Sequence, residues 1–279
     1  MQNNQNRIRI LCIGDVVGSS GCAMFQKHAQ ELRRKHAIDA LIVNGENSDN
    51  KGRGITSRIV NFFRQNGADI VTSGNHIWAN KEIYNYLAEH TDLLRPANYH
   101  SSAPGVGVTT FLVKGNTIAV INLIGRVFMR DHVDCPFRTA ESILTYLKDK
   151  TNIIVVDMHA ETSSEKIGLG HFLDGKVSAV VGTHTHVPTA DERILPRGTA
   201  FVTDLGMTGA LNSMIGMKKE PIIQHLITQL PVKFAVDEIG PFIMTGVLIE
   251  IDAHTGKATH IERVKLIDDE LRVQSSESV

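Results

Sequence analysis

Residues 40–47 read ALIVNGEN, a short run of apolar and β-branched side chains that ends in a glycine turn and two polar side chains. Residues 7–15, RIRILCIGD, and residues 69–76, DIVTSGNH, repeat this order of strand, glycine and polar side chain. The spacing predicts strands at 7–13, 40–43 and 69–72 and helices at 25–36, 55–65 and 81–89. The alternation indicates βαβ units, and therefore a sheet with a largely parallel core.

The rest of the chain adds antiparallel pieces to this pattern. Residues 108–113 and 118–123 flank a short turn, as do residues 244–251 and 258–264, and both pairs indicate hairpins. The alternation returns with a helix at 140–148, strands at 153–156 and 177–181, and a helical stretch before Gly175. We therefore expect one α/β domain over residues 1–279, with residues 1–6 and 273–279 frayed.

The composition excludes several classes of protein. The chain has 279 residues, 42% of them apolar, and a net charge of −1, which argues against disorder and against a broad basic nucleic-acid surface. Three cysteines without CxxC spacing predict neither a disulfide framework nor a thiolate zinc site, and favour a reducing compartment. Because the chain has no apolar run of membrane-spanning length and no signal-peptide pattern, we expect no membrane association and a cytoplasmic location.

The side chains that carry chemistry follow five predicted strands. Ligands bind at the carboxyl ends of the strands in open α/β sheets, so these side chains should gather at one rim. His184 and His186, two residues apart, should share a face by strand alternation, which would place both near the metal site. The candidates are Asp15, Glu46, Asn47, Asn75, His76, His159, His184 and His186.

These residue types predict a metal site. Two carboxylates, three imidazoles and amide oxygens suit iron, manganese or zinc, and the absence of thiolates argues against a structural zinc site. About seven candidate ligands exceed what one tetrahedral ion requires, but they fit two ions that share a carboxylate. Two divalent ions and two carboxylates leave a net charge of about +2, which attracts an anionic phosphate ester and lowers the pKa of bridging water.

Other readings of the sequence are weaker. The chain contains neither GxGxxG nor GxxxxGK[ST], so dinucleotide-binding and P-loop sites are not expected. His132 and Cys135 lie close together in a loop, which does not make a catalytic triad. Arg126 and Arg130, after the strand at 118–123, are minor candidates for contacts to a substrate phosphate or base.

The ordered motifs resemble those of the calcineurin-like metallophosphoesterases. The stretches LCIGDVVGSSG, IVNGEN, TSGNHIW, DMHAETSSEK, VVGTHTHVPTAD and TDLGMTG are more specifically similar to the YmdB family, from about residue 9 to residue 266. The resemblance implies the calcineurin-like metallophosphoesterase fold, an α/β fold with mixed β-sheets sandwiched by helices. It also implies activity as a 2′,3′-cyclic nucleotide phosphodiesterase, and self-association into a homo-oligomer.

The sequence departs from the superfamily pattern at three positions. Val17 stands where the superfamily usually has a histidine ligand, and Glu46 stands where the bridging residue is usually aspartate. Asn47 can supply an amide oxygen in place of the missing imidazole, which shifts the expected metals toward iron or manganese, with zinc as a further candidate. Ala210 replaces an expected proline and bears only on the stiffness of a loop.

The resemblance assigns the candidates to two metal ions, divalent or mixed-valence, position by position. Asp15, Glu46, Asn47 and His186 would hold the first ion, and Glu46, Asn75, His159 and His184 the second, so that Glu46 bridges. His76 directly follows a proposed ligand and is expected to donate a proton to the departing ribose oxygen after hydroxide held between the ions attacks phosphorus.

The expected function is hydrolysis of a small nucleotide phosphodiester, by a dinuclear-metal enzyme that acts on 2′,3′-cyclic nucleotides. Two alternatives stay open at this point. One is a phosphomonoesterase or protein phosphatase of the same superfamily, and the other is a regulatory scaffold whose metal site is structural. His76 favours an enzyme, because a structural site has no use for a proton donor.

Overall fold

The computed structural model describes residues 6–273 of the chain. The helices are α1 Gly18–Lys35, α2 Ser57–Gln65, α3 Ile83–Glu89, α4 Pro136–Leu147, α5 Ser163–Leu173 and α6 Lys219–Thr228. The strands are β1 Arg7–Ile13, β2 Asp15–Val16, β3 Ala40–Asn44, β4 Ile70–Thr72, β5 Val108–Val113, β6 Asn116–Ile124, β7 Ile153–His159, β8 Ala179–Thr183, β9 Arg193–Ile194, β10 Ala200–Val202, β11 Met207–Ala210, β12 Phe242–Asp252 and β13 Ala258–Asp268.

The strands form two mixed sheets. The first has the order β2-β11-β12-β1-β3-β4, with β13 paired to β12, and its parallel pairs are β1–β3, β3–β4 and β2–β11. The second has the order β5-β6-β7-β8-β10-β9, with β6, β7, β8 and β10 parallel and both edge strands antiparallel. The α/β fold with mixed sheets is therefore confirmed, as are the hairpins β5–β6 and β12–β13.

Alternation along the central strands builds a four-layer arrangement. In β1, Ile8 and Ile10 pack into a core that also contains side chains of the second sheet, whereas Leu11 and Ile13 pack on the opposite face with residues of α1 and α2. The strands of the second sheet are also buried on both faces: the inner face packs against the first sheet, and the outer face packs against α4 and α5. Because successive side chains point to opposite faces, strands buried on both faces need the nearly continuous apolar runs seen in the sequence.

Two helices differ from the prediction. Helix α1 begins at Gly18, well before the predicted start at residue 25. The prediction missed this start because the first turn of the helix is a Gly/Ser run without helical periodicity. The small residues serve close packing, since a Cβ at Gly21 would lie 2.4 Å from the Thr208 carbonyl oxygen. Helix α6 was not predicted, and it contains no buried residue, so no amphipathic pattern could indicate it.

The predicted frayed ends lie almost wholly outside the described residues. Of the residues that are described, Asn6 accepts a backbone hydrogen bond from Ala253 at 2.8 Å, and Val273 packs against the core beside α1. Within residues 6–273, no helix combines the length and the apolar content that crossing a bilayer requires. The single-domain organisation stays a prediction.

Asp268, the last residue of β13, ties the C-terminal hairpin to α1. Its carboxylate lies 2.6 Å from Lys27 Nζ and 2.6 Å from His28 Nε2, and it accepts the backbone N–H groups of Glu270 and Leu271. Burial opposes ionisation, but the hydrogen bonds from Lys27 and His28 hold the pKa of Asp268 well below its usual range.

We expect Asp268→Asn to lower the free energy of unfolding by about 1–3 kcal/mol at pH 7, because a charge-assisted network is lost. A depressed native pKa contributes stability above the unfolded value of about 3.9 and loses it as pH falls further. The difference in unfolding free energy between Asp268→Asn and the unmodified protein should therefore become smaller below about pH 4. Urea unfolding at a series of pH values measures this difference. Asp269→Asn, at the exposed neighbouring position, is the control and should match the unmodified protein throughout.

Candidate metal centre

The eight predicted residues converge, but from two sheets rather than from one rim. Asp15 follows β1, and the pairs Glu46-Asn47 and Asn75-His76 follow β3 and β4 of the first sheet. His159 ends β7, and His184 and His186 follow β8 of the second sheet. The carboxyl ends of both parallel sections meet at one end of the sandwich. The prediction of strand-end convergence was right, while the single rim was wrong because the chain forms two facing sheets.

The Nε2 atom of His159 is the centre of the tightest cluster. Glu46 Oε1 and Asn75 Oδ1 each lie 3.1 Å from it, and His184 Nδ1 lies 3.0 Å from it. One ring nitrogen carries at most one proton, so hydrogen bonding cannot satisfy three such neighbours. Donor atoms about 2.0–2.2 Å from one metal ion and about 90° apart would be separated by about 3 Å. The four side chains are those predicted for the second metal ion.

Gly74 makes this cluster sterically feasible. A Cβ at position 74 would lie 2.2 Å from His159 Nε2 and 2.4 Å from Glu46 Oε2. Such contacts are far inside van der Waals separation, so any side chain here would displace two proposed ligands. The glycine of the Gly-Asn-His motif is therefore required by the cluster itself.

The three histidines proposed as ligands, His159, His184 and His186, are each oriented by a hydrogen bond at the ring nitrogen that faces away from the other ligands. His159 Nδ1 lies 3.0 Å from Thr183 Oγ1, whose hydroxyl donates to Asp157 Oδ1 at 2.7 Å. His184 Nε2 lies 3.0 Å from a Glu161 oxygen, and His186 Nδ1 lies 2.8 Å from the carbonyl oxygen of Ile215. With the outer nitrogen protonated in each ring, the inner one keeps its lone pair for an ion, as metal-binding histidines require. The outer partners are Thr183, Glu161 and Ile215.

His184 and His186 do not share a strand face, contrary to the prediction from alternation. Strand β8 ends at Thr183, and the two histidines have φ values of 100° and 64°. This unusual backbone is fixed by Asp204, which accepts the Thr185 backbone N–H at 3.2 Å and its hydroxyl at 2.8 Å. Tertiary contacts therefore bring the two rings together where strand geometry does not.

Lys166 completes the support of this loop. Its ammonium lies 2.6 Å from Asp204 Oδ2, and both side chains are buried. An isolated buried charge is costly, so each partner requires the other. Neither residue was predicted, although Lys166 lies in the HAETSSEK stretch and Asp204 in the TDLGMTG stretch on which the family resemblance rests.

A second group of ligand candidates surrounds Asp15. His186 Nε2 lies 3.8 Å from Asp15 Oδ1 and 3.0 Å from the amide nitrogen of Asn47. Asp15 is fully buried, and its Oδ1 has no hydrogen-bond partner among residues 6–273. The Asn47 oxygen faces His76 in this structure, so the predicted ligand role requires the amide to turn by half a rotation. The unpartnered carboxylate oxygen is the observation that calls for a cation here.

Burial and neighbouring charges shift the pKa values of four ionisable side chains in the cluster. Burial raises the pKa of Asp15 to about 6, although His186 and His159 oppose it. Burial also disfavours charge on Glu46 and His159, but their mutual attraction holds the Glu46 pKa well below normal and raises that of His159 to about 9. Burial and the charge on His159 lower the pKa of His184 to about 3. The donor set and the orphaned carboxylate oxygen together fit cation binding.

His76 lies at the border between the cluster and a cavity. Its backbone N–H donates to Glu46 Oε2 at 3.1 Å, and its Nδ1 lies 2.8 Å from Asn47 Oδ1. The side chain is 25% exposed, in contrast to the buried His159. It lines a cavity of about 560 Å³ together with Glu46, Asn47, His184 and His186. A group in this position can exchange protons with a bound molecule.

The arginines predicted as minor candidates lie elsewhere. Neither Arg126 nor Arg130 is among the described residues that line this cavity, which instead receives Lys51 and Arg53 from the loop after β3. The backbone N–H of Arg126 is bound by Glu165, which fixes the loop after β6. Cys135 precedes α4 and also lies outside the cavity lining. The sequence offered no signal for Lys51 and Arg53, because exposed basic residues in loops are common.

Thr183→Val tests whether the outer hydrogen bonds support ion binding. The substitution removes the acceptor of the His159 Nδ1 proton while preserving side-chain shape. Loss of such an outer partner typically costs about 10–100-fold in metal affinity, so we expect Mn²⁺ affinity to fall by about that factor. Competition against a fluorescent chelator measures it.

Thr208→Val is the matched control for this experiment. Thr208 is equally buried, and its hydroxyl has no hydrogen-bond partner in the described part of the chain. Its valine variant should bind Mn²⁺ like the unmodified protein. Equal affinities of the two variants would show that Thr183 does not orient a ligand.

The comparisons with known proteins agree with the sequence resemblance. A 2′,3′-cyclic-nucleotide 2′-phosphodiesterase of Bacillus subtilis (strain 168) is 46% identical over 264 residues, covering 95% of this chain and 99% of the relative. A crystal structure of a novel phosphatase from Mycoplasma pneumoniae is 33% identical, with a TM-score of 0.89 and 95% coverage of both chains.

A second solved structure supports the same relationship. A hypothetical protein from Thermus thermophilus is 36% identical, with a TM-score of 0.87, covering 94% of this chain and all of that one. The family model described as YmdB-like protein matches residues 11–264, which span both sheets and all eight candidate residues. The chain therefore belongs to the YmdB-like protein family.

Proposed function

We propose that this protein is a metal-dependent phosphoric diester hydrolase that acts on 2′,3′-cyclic nucleotides. The observation that carries the proposal is the cluster at His159 Nε2, where carboxylate, amide and imidazole donors meet at 3.0–3.1 Å beside an open cavity. The activity named for the B. subtilis relative, 46% identical over nearly the whole chain, supplies the substrate class.

The proposed ligands would divide between two divalent or mixed-valence ions, with Glu46 common to both sets. Asp15, Asn47 and His186 complete one set, and Asn75, His159 and His184 the other. Two bound ions would polarise the phosphoryl oxygens and lower the pKa of the water that attacks phosphorus. The nitrogen and oxygen donors favour iron or manganese, with zinc as a further candidate.

His76 is the proposed proton donor to the departing ribose oxygen. With the Asn47 amide turned toward an ion, Glu46 Oε1, 3.4 Å from His76 Nδ1, would hold a proton on that nitrogen and orient the ring. Protonated at both nitrogens, the ring can give up the Nε2 proton and stay paired with Glu46 through Nδ1. A positioned general acid of this kind contributes about 10²–10⁴-fold to rate.

The charge and size of the cavity suit a small anion. Lys51 and Arg53 line it, and neither has a carboxylate partner within 4.0 Å among residues 6–273. A volume of about 560 Å³ lies within the usual range for small-molecule sites. The site is therefore proposed for nucleotides rather than for the broad surface of a phosphoprotein.

A substrate panel tests the proposal. The protein, loaded with Mn²⁺ or Fe²⁺, is assayed on 2′,3′-cyclic nucleotides, bis(p-nitrophenyl) phosphate and phosphomonoesters. We expect the cyclic nucleotides to give the highest kcat/KM. A preference for monoesters would point to a phosphomonoesterase or protein phosphatase, and inactivity with full metal occupancy would point to a scaffold with a structural site.

Homo-oligomeric assembly and a cytoplasmic location belong to the same proposal. Exposed apolar side chains on and after α6 offer a surface for self-association, including Leu226, Ile227 and Leu230 at 67%, 77% and 61% exposure. Analytical ultracentrifugation and cell fractionation test these two points.

A further inference from the structure

The cavity beside the metal ligands has an apolar part that the proposed reaction does not use. Ile215, Met217 and Phe234 line it, in addition to the ligand candidates and the two basic residues. Phe234 is 49% exposed and Ile215 is 46% exposed, and Phe234 belongs to none of the core clusters of the described chain. Single exposed apolar residues are ordinary, but Ile215 and Phe234 converge on one cavity beside the partly buried Met217, which indicates a binding surface.

Backbone contacts hold this apolar wall in place. The Lys218 N–H donates to the Ala235 carbonyl at 2.8 Å, and the Asp237 N–H donates to the Gly216 carbonyl at 2.9 Å. The residues before α6 and after it are thus clamped side by side. Phe234, next to Ala235, is presented by a paired backbone and not by a free loop.

The loop that carries the basic residues packs against the same wall. Gly52, between Lys51 and Arg53, has a φ of 68°, and a Cβ there would lie 2.9 Å from the Met217 sulfur. The positive φ favours glycine at this position, and without a side chain the loop lies directly against Met217. Cationic and apolar parts of the cavity are therefore fixed relative to each other.

The wall also contacts the metal centre directly. The carbonyl oxygen of Ile215 is the acceptor 2.8 Å from His186 Nδ1, while the Ile215 side chain lines the cavity. One residue thus orients a proposed ligand and begins the apolar wall. A molecule whose phosphate lies at the ligands would place its next apolar group along Ile215, Met217 and Phe234.

We propose that Phe234, supported by Ile215 and Met217, stacks against the nucleobase of the substrate. The inference rests on the proposed function, since a 2′,3′-cyclic nucleotide carries a flat base on the ribose that bears the phosphate. Every base has a π face, and stacking on an aromatic ring is therefore tolerant of base identity. An apolar wall offers no hydrogen bonds to distinguish one base edge from another. The subsite therefore selects nucleosides over base-free diesters, with little preference among the four bases.

Phe234→Ala tests the subsite with a base-free control substrate. Loss of one stacking ring typically lowers affinity by about 5- to 150-fold, so we expect kcat/KM to fall about tenfold for the 2′,3′-cyclic nucleotides of all four bases. The loss should appear mainly in KM. Glycerol 1,2-cyclic phosphate, which has the same five-membered ring and no base, should be hydrolysed at an unchanged rate.

Three further variants sharpen the result. Phe234→Leu keeps apolar volume without a π face and should behave like the alanine variant, whereas Phe234→Trp should retain nucleotide activity. Phe128→Ala removes a phenylalanine that is 86% exposed and outside the cavity lining, and it should leave both substrates unaffected.

The failure of the subsite and the failure of the proposed function give different results. If the unmodified enzyme hydrolyses no cyclic nucleotide, the proposed function is wrong. If it does, but Phe234→Ala and Phe234→Leu lose activity equally on the nucleotides and on glycerol 1,2-cyclic phosphate, or lose none, then Phe234 does not bind the base. A large difference among the four bases would also contradict stacking as the basis of recognition.

Discussion

Replacing His76 by asparagine is expected to lower kcat on a 2′,3′-cyclic nucleotide by about 10²–10⁴-fold without loss of bound metal. Asparagine retains a donor near the position of Nδ1 and can still face Glu46 Oε1, but it has no group equivalent to Nε2. The chemistry therefore loses its proton donor while the surrounding hydrogen bonds persist. Steady-state kinetics and elemental analysis on the same preparation measure the two quantities.

A change of leaving group separates proton donation from other roles of His76. A nitrophenolate leaves readily without a proton, so bis(p-nitrophenyl) phosphate should lose much less activity in His76→Asn than a cyclic nucleotide does. His76→Ala should show the same contrast. Equal losses on the two substrates would indicate that His76 positions the substrate or the ligands, and near-normal nucleotide turnover would exclude it from the reaction.

The ligand candidates could be predicted because they depend on the direction of the strands. A parallel strand delivers whatever follows it to one end of the sheet, so Asp15, Glu46 and Asn75 were identifiable from an apolar run, a glycine and a polar side chain. The same pattern does not predict that the strands divide into two sheets. Residues 153–156 and 177–181 have the same apolar pattern as the strands of the first sheet, and periodicity does not indicate which strands pair.

The supporting residues could not be predicted for a different reason. Thr183, Asp157 and Asp204 act through hydrogen bonds to groups brought near by the tertiary structure, and a lone threonine or aspartate has no pattern in sequence. The left-handed backbone of His184 and His186 is likewise imposed by Asp204 and not by local preference. Phe234 follows a helix with no buried face, so neither the helix nor the cavity wall beyond it produced a periodic signal.

Glu46→Gln is expected to abolish metal binding and to lower turnover by more than about 10³-fold. Glu46 is fully buried, with Oε1 3.1 Å from His159 Nε2 and Oε2 accepting the His76 N–H. Glutamine has almost the same shape, but its amide nitrogen presents protons where an ion requires a lone pair. It also removes the negative charge that two cations would share. Loss of several kcal/mol of transition-state stabilisation corresponds to at least about three orders of magnitude in rate.

Thermal unfolding with and without Mn²⁺ shows whether Glu46→Gln has lost metal binding or has lost its folded structure. A ligand that binds only the native state at about 100 times its Kd adds about 2.7 kcal/mol, which raises Tm by about 5 °C in a chain of this size. Mn²⁺ should therefore raise Tm for the unmodified protein and leave that of Glu46→Gln unchanged. Asp174→Asn, a buried carboxylate that accepts backbone N–H groups of Arg197 and Thr199 away from the cavity, is the control. The Asp174→Asn variant should retain the increase in Tm with Mn²⁺, because the Asp174 carboxylate stabilises a turn and contacts no proposed metal ligand. A normal Mn²⁺ response in Glu46→Gln would mean that the ions are held without the shared carboxylate, and the assignment of the ligands to two ions would be wrong.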